Sequence, residues 1–252
     1  MKKIILLITL IISTHLFAQE HNNPYVYPVD RETTSTVTKA SFYQEFFSVI
    51  NLYYPELLNF RIQVLPIPEW EQAYLTAYTA QVGDIMKLGF WGGMARVPGM
   101  NDEAVTLITC HEVGHLLGGA PYIAIDHPMY EDVSSEGQAD YFATKECLKR
   151  VWKNSDLKEV HDLPIALDKI CKKRSHTSYD LRLCQKVMKG IEGFRHVMEL
   201  LKKESGMLNY NDHAHEVVTE TIYNAYPSNQ CRFDTLVAGL FDEPRPKCWF
   251  VE

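Results

Sequence analysis

Beyond its first eighteen residues, the sequence has no apolar run approaching the roughly 20 residues that a membrane-spanning helix needs. No basic patch is longer than Lys172, Lys173 and Arg174, and 25 basic against 32 acidic side chains leave a formal net charge of −7. Nucleic acid is therefore not an expected partner, since phosphate binding requires a basic face. There is no internal repeat, no low-complexity linker and no G-x-S-x-G, which sets aside repeat arrays and a serine-nucleophile elbow. With 46% hydrophobic and 23% charged residues, the 252-residue chain is not compositionally disordered either.

What is present begins with Lys2 and Lys3, an apolar run from Ile4 to Ile12, and a small residue at Ala18. That layout predicts a secretory signal peptide over residues 1–18 and a soluble mature chain in the periplasm or outside the cell. No cysteine lies near the cleavage point, so a lipid anchor is not expected. Residues 19–40 are polar and carry proline, and read as a flexible N-terminal segment; residues 41–252 read as one domain, helical from about 151 onward. All six cysteines fall in the mature part, and an even count in an exported chain favours disulfides. Cys231 is expected to pair with Cys248 and Cys171 with Cys184. Cys110 is left without a role.

Phe42, Phe46, Phe47, Ile50 and Tyr54 recur at helical spacing and predict a helix ending near Pro55. RIQVLPIPEW reads as a short strand limited by Pro66 and Pro68, and IMKLGFWGGMARVP as another, with Gly92 and Gly93 marking a bulge or a close backbone approach. A helix capped by Asn101 or Asp102 then runs to Gly118 and Gly119. A second starts near Ser135, where Ser135 and Gln138 have capping-box spacing. Residues 157–204 read as helical apart from turns, and a last short helix is expected at 215–223. Strands first and helices afterwards predict an α+β domain with a small sheet.

The first of the two central helices carries TCHEVGHLLGG. Residues four apart share a helix face, so His111 and His115 can turn ring nitrogens to one ion, while Glu112 lies one position round, within reach of a water there. The pattern predicts two zinc ligands and a general base. A catalytic zinc takes three protein ligands and leaves one position open. HExxHxxGxxH fails as the source of the third, because Gly118 fits but Pro121 stands where the histidine is needed. His127, before a proline in a loop, has no supporting pattern. Glu136, in the first turn of the second helix, is the better candidate. Asp140, four residues on, is placed to receive the other N–H of His111. Gly137 and Ala139 are small enough to let the two helices approach.

HEVGH followed by EGQADYFAT resembles the gluzincin metallopeptidases, most closely the HtpX-like and CAAX prenyl protease type, peptidase family forty-eight. QAYLTAYTAQVGDIMKLGFWGGMAR is similar to the segment preceding that family's zinc helix. The resemblance implies a zincin-like domain, a Zn2+ cofactor, hydrolysis of exported or envelope proteins, and an edge strand, followed by a glycine pair, that pairs with extended peptide substrate. YPSNQCR resembles the family's H-P-x-x-x-x-R, with Tyr226 in place of the histidine and Arg232 keeping the arginine. Tyr226 and Arg232 are thus candidates to stabilise an oxyanion, with His213 and His215 behind them; alternatively, Arg232 forms a structural ion pair with Asp234. Family members of this type are membrane-embedded, whereas this chain has no span after the signal, so it looks like a soluble, exported branch. The rival from another class is a zinc-stabilised, non-catalytic binding or chaperone-like module of the cell envelope.

Overall fold

The computed structural model describes residues 23–124, 132–202 and 206–252. The expected signal peptide and His127 lie outside these residues. Thr38 caps helix α1 (Lys39–Leu52): its hydroxyl accepts the Ser41 N–H, and the Ser41 hydroxyl accepts the Thr38 N–H. Phe42, Phe46, Val49 and Ile50 carry its buried face. The chain then breaks at Tyr53 and restarts as α2 (Tyr54–Leu58). Pro55 opens that helix instead of ending the previous one, since a first-turn proline gives up no helical hydrogen bond.

Strands β1 (Gln63–Glu69), β2 (Ala77–Val82) and β3 (Ile85–Trp91) form one sheet of order β1-β3-β2, with β1 parallel and β2 antiparallel to β3. The strand that the glycine pair follows, β3, is therefore central, flanked on both sides, and the edge nearer the motif helix is β2 instead. Pro66 and Pro68 lie on an edge strand, where a missing N–H interrupts no interior ladder. Met86, Leu88 and Phe90 alternate onto a fully buried face. Gly92 and Gly93 do not form a bulge; they open the short helix α3 (Gly92–Ala95), pressed against the Trp70 and Ala73 carbonyls. Just beyond it, buried Arg96 donates to the carbonyls of Tyr27, Trp70 and Gln72. That clamp, with Val26, Tyr27 and Val37 buried, draws residues 23–38 onto the domain where a loose segment is expected.

Helix α4 (Asp102–Leu117) starts at Asn101, whose side-chain oxygen accepts the Ala104 N–H, with Asp102 and Glu103 at its positive end. Every residue from Ala104 to Leu116 is buried. The helix is walled in by α1, β2, α5 (Glu136–Phe142) and the long α8 (Ser178–Leu201). An all-round buried helix at the centre of the domain is what holds the motif.

From α5 the chain passes through a π-helical turn (Ala143–Cys147) into α6 (Leu148–Trp152). The expected Ser135–Gln138 capping box does not form. Gln138 instead donates to the Gly118 carbonyl and accepts from Arg245. After α7 (Ile165–Arg174) and α8, the last helix is α9 (Asn229–Leu240). Residues 157–164 are not helical, nor are 215–223, where the N–H groups of Val218 and Ile222 go to the tail carbonyls of Lys247 and Trp249. Cys171–Cys184 joins α7 to α8 and Cys231–Cys248 pins the tail to α9, as expected; Cys110–Cys147 joins α4 to the π-helical turn. The protein is an α+β domain with a small open sheet, and among the described residues no helix is long and apolar enough to cross a membrane.

Candidate metal centre

His111 and His115 project from successive turns of α4, and each has its Nδ1 tied. The His111 Nδ1–H donates to Asp140 Oδ1 at 2.8 Å, and the His115 Nδ1–H to the Ser134 carbonyl at 2.8 Å. A neutral imidazole protonated at Nδ1 presents its lone pair at Nε2. Both Nε2 atoms face the Glu136 carboxylate, His111 at 3.2 Å from Oε2 and His115 at 3.8 Å from Oε1. One ligand atom from each residue lies within 4.8 Å of the others. Tetrahedral ligands around zinc stand about 3.4 Å apart. Glu136 Oε2 is buried, and the group set against it is the His111 Nε2 at 3.2 Å. A carboxylate oxygen facing an imidazole lone pair in a buried site requires a cation between them or a proton on the ring. Two imidazole nitrogens and a carboxylate oxygen are a donor set that suits zinc.

The electrostatics point the same way. Burial disfavours the imidazolium of His111, but the charge and hydrogen bond of Asp140, joined by Glu136, outweigh it and push its pKa up to about 10. Burial alone raises the pKa of Glu136, yet the hydrogen bond from His111 and the charges of His115, His111 and Arg232 bring it down to about 2. Asp140, wholly buried, is held below the usual carboxylate range against burial by Arg232 and His111. The pocket is therefore built to hold positive charge between its carboxylates.

Glu112 is buried beside the cluster, and burial raises its pKa. Its Oε2 lies 2.9 Å from the Thr79 hydroxyl, which also lies 2.9 Å from the Glu112 main-chain carbonyl. Thr79 belongs to β2, so the edge strand reaches the motif helix through a hydrogen bond.

The expected site residues separate into two groups. Tyr226 lies beside Arg232, whose guanidinium is 5.3 Å from its ring centroid; the residue is partly exposed, and desolvation and then the charge of Glu136 keep its hydroxyl protonated far into alkaline pH. Arg232, expected to face an oxyanion, spends two donor nitrogens on Asp140, at 2.7 and 2.8 Å, and its guanidinium lies 4.9 Å from the Phe194 ring centroid. It does not pair with Asp234, which instead accepts from His213 and the Ala214 N–H. His213 and His215 are exposed and turned to Asp234 and Asp212. His127 lies outside the described residues.

Close packing sets the ligand spacing. A Cβ on Gly114 would lie 2.9 Å from the Ala139 carbonyl, so glycine lets α4 and α5 meet backbone to backbone between His115 and Asp140. Ala139 plays the part expected of it, whereas Gly137 faces the Trp249 ring, 2.4 Å from where a Cβ would stand. Sequence patterns did not single out Thr79 or Ser134. A lone threonine on a strand carries no signature, and Ser134 acts through its main-chain carbonyl, which any residue supplies. Comparison with protein-family models, curated proteins and solved structures yields no match.

Proposed function

We propose that the protein is a zinc-dependent metalloendopeptidase of zincin-like, gluzincin type that hydrolyses peptide bonds in exported or envelope proteins. The observation that supports this reading is the convergence of the Nε2 atoms of His111 and His115, each held by a hydrogen bond at Nδ1, on the Glu136 carboxylate, with a buried carboxylate, Glu112, next in sequence to His111. His111, His115 and Glu136 would hold the zinc. Bound there, it would supply Lewis acidity, drawing the pKa of a water toward about 7 and polarising a carbonyl.

The chain's own residues provide the rest. Glu112, raised in pKa by burial and oriented by Thr79, accepts the proton of the attacking water and returns it to the departing amine nitrogen. The Tyr226 hydroxyl, kept protonated, donates a hydrogen bond to the oxyanion as the carbonyl becomes tetrahedral. Asp140 fixes the His111 tautomer, and Arg232 fixes Asp140; Arg232 is a positioning residue in this reading. The free edge of β2 offers backbone groups to an extended peptide, giving affinity without sequence demand. The test is Glu112→Gln. The variant is expected to bind zinc as wild type does and to lose hydrolysis of an unfolded protein substrate; a wild-type chain that takes up no zinc, or a variant that hydrolyses as well as wild type, overturns the reading.

A further inference from the structure

Two of the three disulfides are built into the candidate metal centre. Cys110 immediately precedes His111, and its partner Cys147 lies in the π-helical turn that continues the helix of Glu136 and Asp140. That bridge ties the helix of the two histidines to the turn that continues the helix of Glu136. Cys231 immediately precedes Arg232, which grips Asp140. Its partner Cys248 precedes Trp249, whose buried ring lies on Gly137, between Glu136 and Gln138. The same tail reaches Gln138 through Arg245. All four sulfurs belong to buried residues. The third bridge, Cys171–Cys184, joins α7 to α8, and neither helix carries a candidate ligand.

We infer that Cys110–Cys147 and Cys231–Cys248 are positioning elements of the metal site, so that high-affinity zinc binding arises only in the oxidised chain; this rests on the zinc reading above. The physical ground is the ligand geometry. The helix bearing the histidines and the helix bearing the carboxylates are separate in sequence, and noncovalent packing alone must otherwise hold their spacing to a few tenths of an ångström. A crosslink beside His111 and a second beside Arg232 remove that freedom before the ion arrives, which preorganises the site. Each bridge forms when a pair of thiols loses two electrons and two protons to a disulfide oxidant, which leaves as a dithiol after thiol–disulfide exchange. A chain still in a reducing compartment therefore carries a loose, weakly binding ligand set, and the site completes itself after export.

The test compares Cys110→Ala/Cys147→Ala, Cys231→Ala/Cys248→Ala and Cys171→Ala/Cys184→Ala with wild type. Zinc affinity is read by competition with a chromophoric chelator, and fold by circular dichroism and urea unfolding. The first two pairs are expected to lose about 10- to 100-fold in zinc affinity, the range seen when partners that orient ligands are removed, with helical content retained. The third is expected to lose stability and keep its affinity. Should the first pair not fold, Cys110→Val/Cys147→Val preserves buried apolar volume, and the Cys231/Cys248 pair decides independently. Wild-type affinity in both of the first two pairs, or equal losses in all three, overturns the inference while leaving the zinc reading intact; a wild-type chain that binds no zinc overturns both.

Discussion

Arg232 grips both carboxylate oxygens of Asp140 from α9, and Asp140 passes that constraint to His111, where the Nδ1–Oδ1 distance is 2.8 Å. The three side chains come from three helices and are all buried. Removing the guanidinium leaves the Asp140 charge buried with half of its support gone. Arg232→Met is therefore expected to cost about 3–5 kcal/mol in urea unfolding, and to weaken zinc binding by about 10- to 100-fold. Adding Asp140→Asn to it removes the orphaned charge. The double variant should regain much of the stability and none of the zinc affinity. Recovery of both together would show that the pair acts through the fold alone.

Thr79 offers a cleaner separation, because it touches Glu112 and none of the candidate ligands. A hydrogen bond to a charged group is worth about 1.5–3 kcal/mol. Thr79→Val should thus lower kcat/KM by roughly tenfold or more with zinc content unchanged, and Thr79→Ser should restore most of it. Equal rates for the valine and serine variants would exclude an orienting hydroxyl.

Glu136 is the third ligand in the proposed set. Glu136→Ala should fall below one zinc per chain when purified protein is subjected to metal analysis. Chelator should also lower the Tm of wild type but leave the variant unmoved, since the stabilisation by a bound ion vanishes with its site. Full zinc stoichiometry in the variant would transfer the third-ligand role elsewhere.

The metal-free chain should have a stability maximum in mildly acid solution. His111 has a folded pKa raised from 6.5 to about 10, so its contribution is complete below about 6.5 and is lost as pH rises through 10. Glu136 has a folded pKa lowered from 4.5 to about 2, so its contribution is present above 4.5 and is lost as pH falls toward 2. Both operate together between about pH 4.5 and 6.5. Urea midpoints measured in chelator from pH 3 to 10 should peak there and decline on either side. Zinc must displace the His111 proton, so the added stability from zinc should grow as pH rises. A metal-free profile flat from pH 6.5 to 10 would contradict the paired state of His111.

The motif helix was legible in the sequence because its cap, its histidine spacing and its terminal glycines are all local signals. Glu136 and Asp140 were legible for the same reason, a four-residue spacing on one helix; two disulfides followed from an even cysteine count and position along the chain. Cys110–Cys147 was not legible, since it depends on how α5 crosses α4 at Gly114 and Ala139. The pairing of Arg232 with Asp140 is hidden from the sequence for a related cause. Arg232 is separated from Asp140 by 92 residues, and only the packing of α9 on α5 brings the two together. The expected helix at 215–223 failed because the tail captures its backbone donors, a tertiary competition that no local propensity records.

The burial of α4 around its whole circumference has a consequence for how such a protein can diversify. A helix with one wet face can accept neutral changes there, but from Ala104 to Leu116 this one has no such face. Sequence change must therefore be absorbed at the sheet edges and in the connecting loops, while the helix that bears the histidines stays the part of the chain least free to drift.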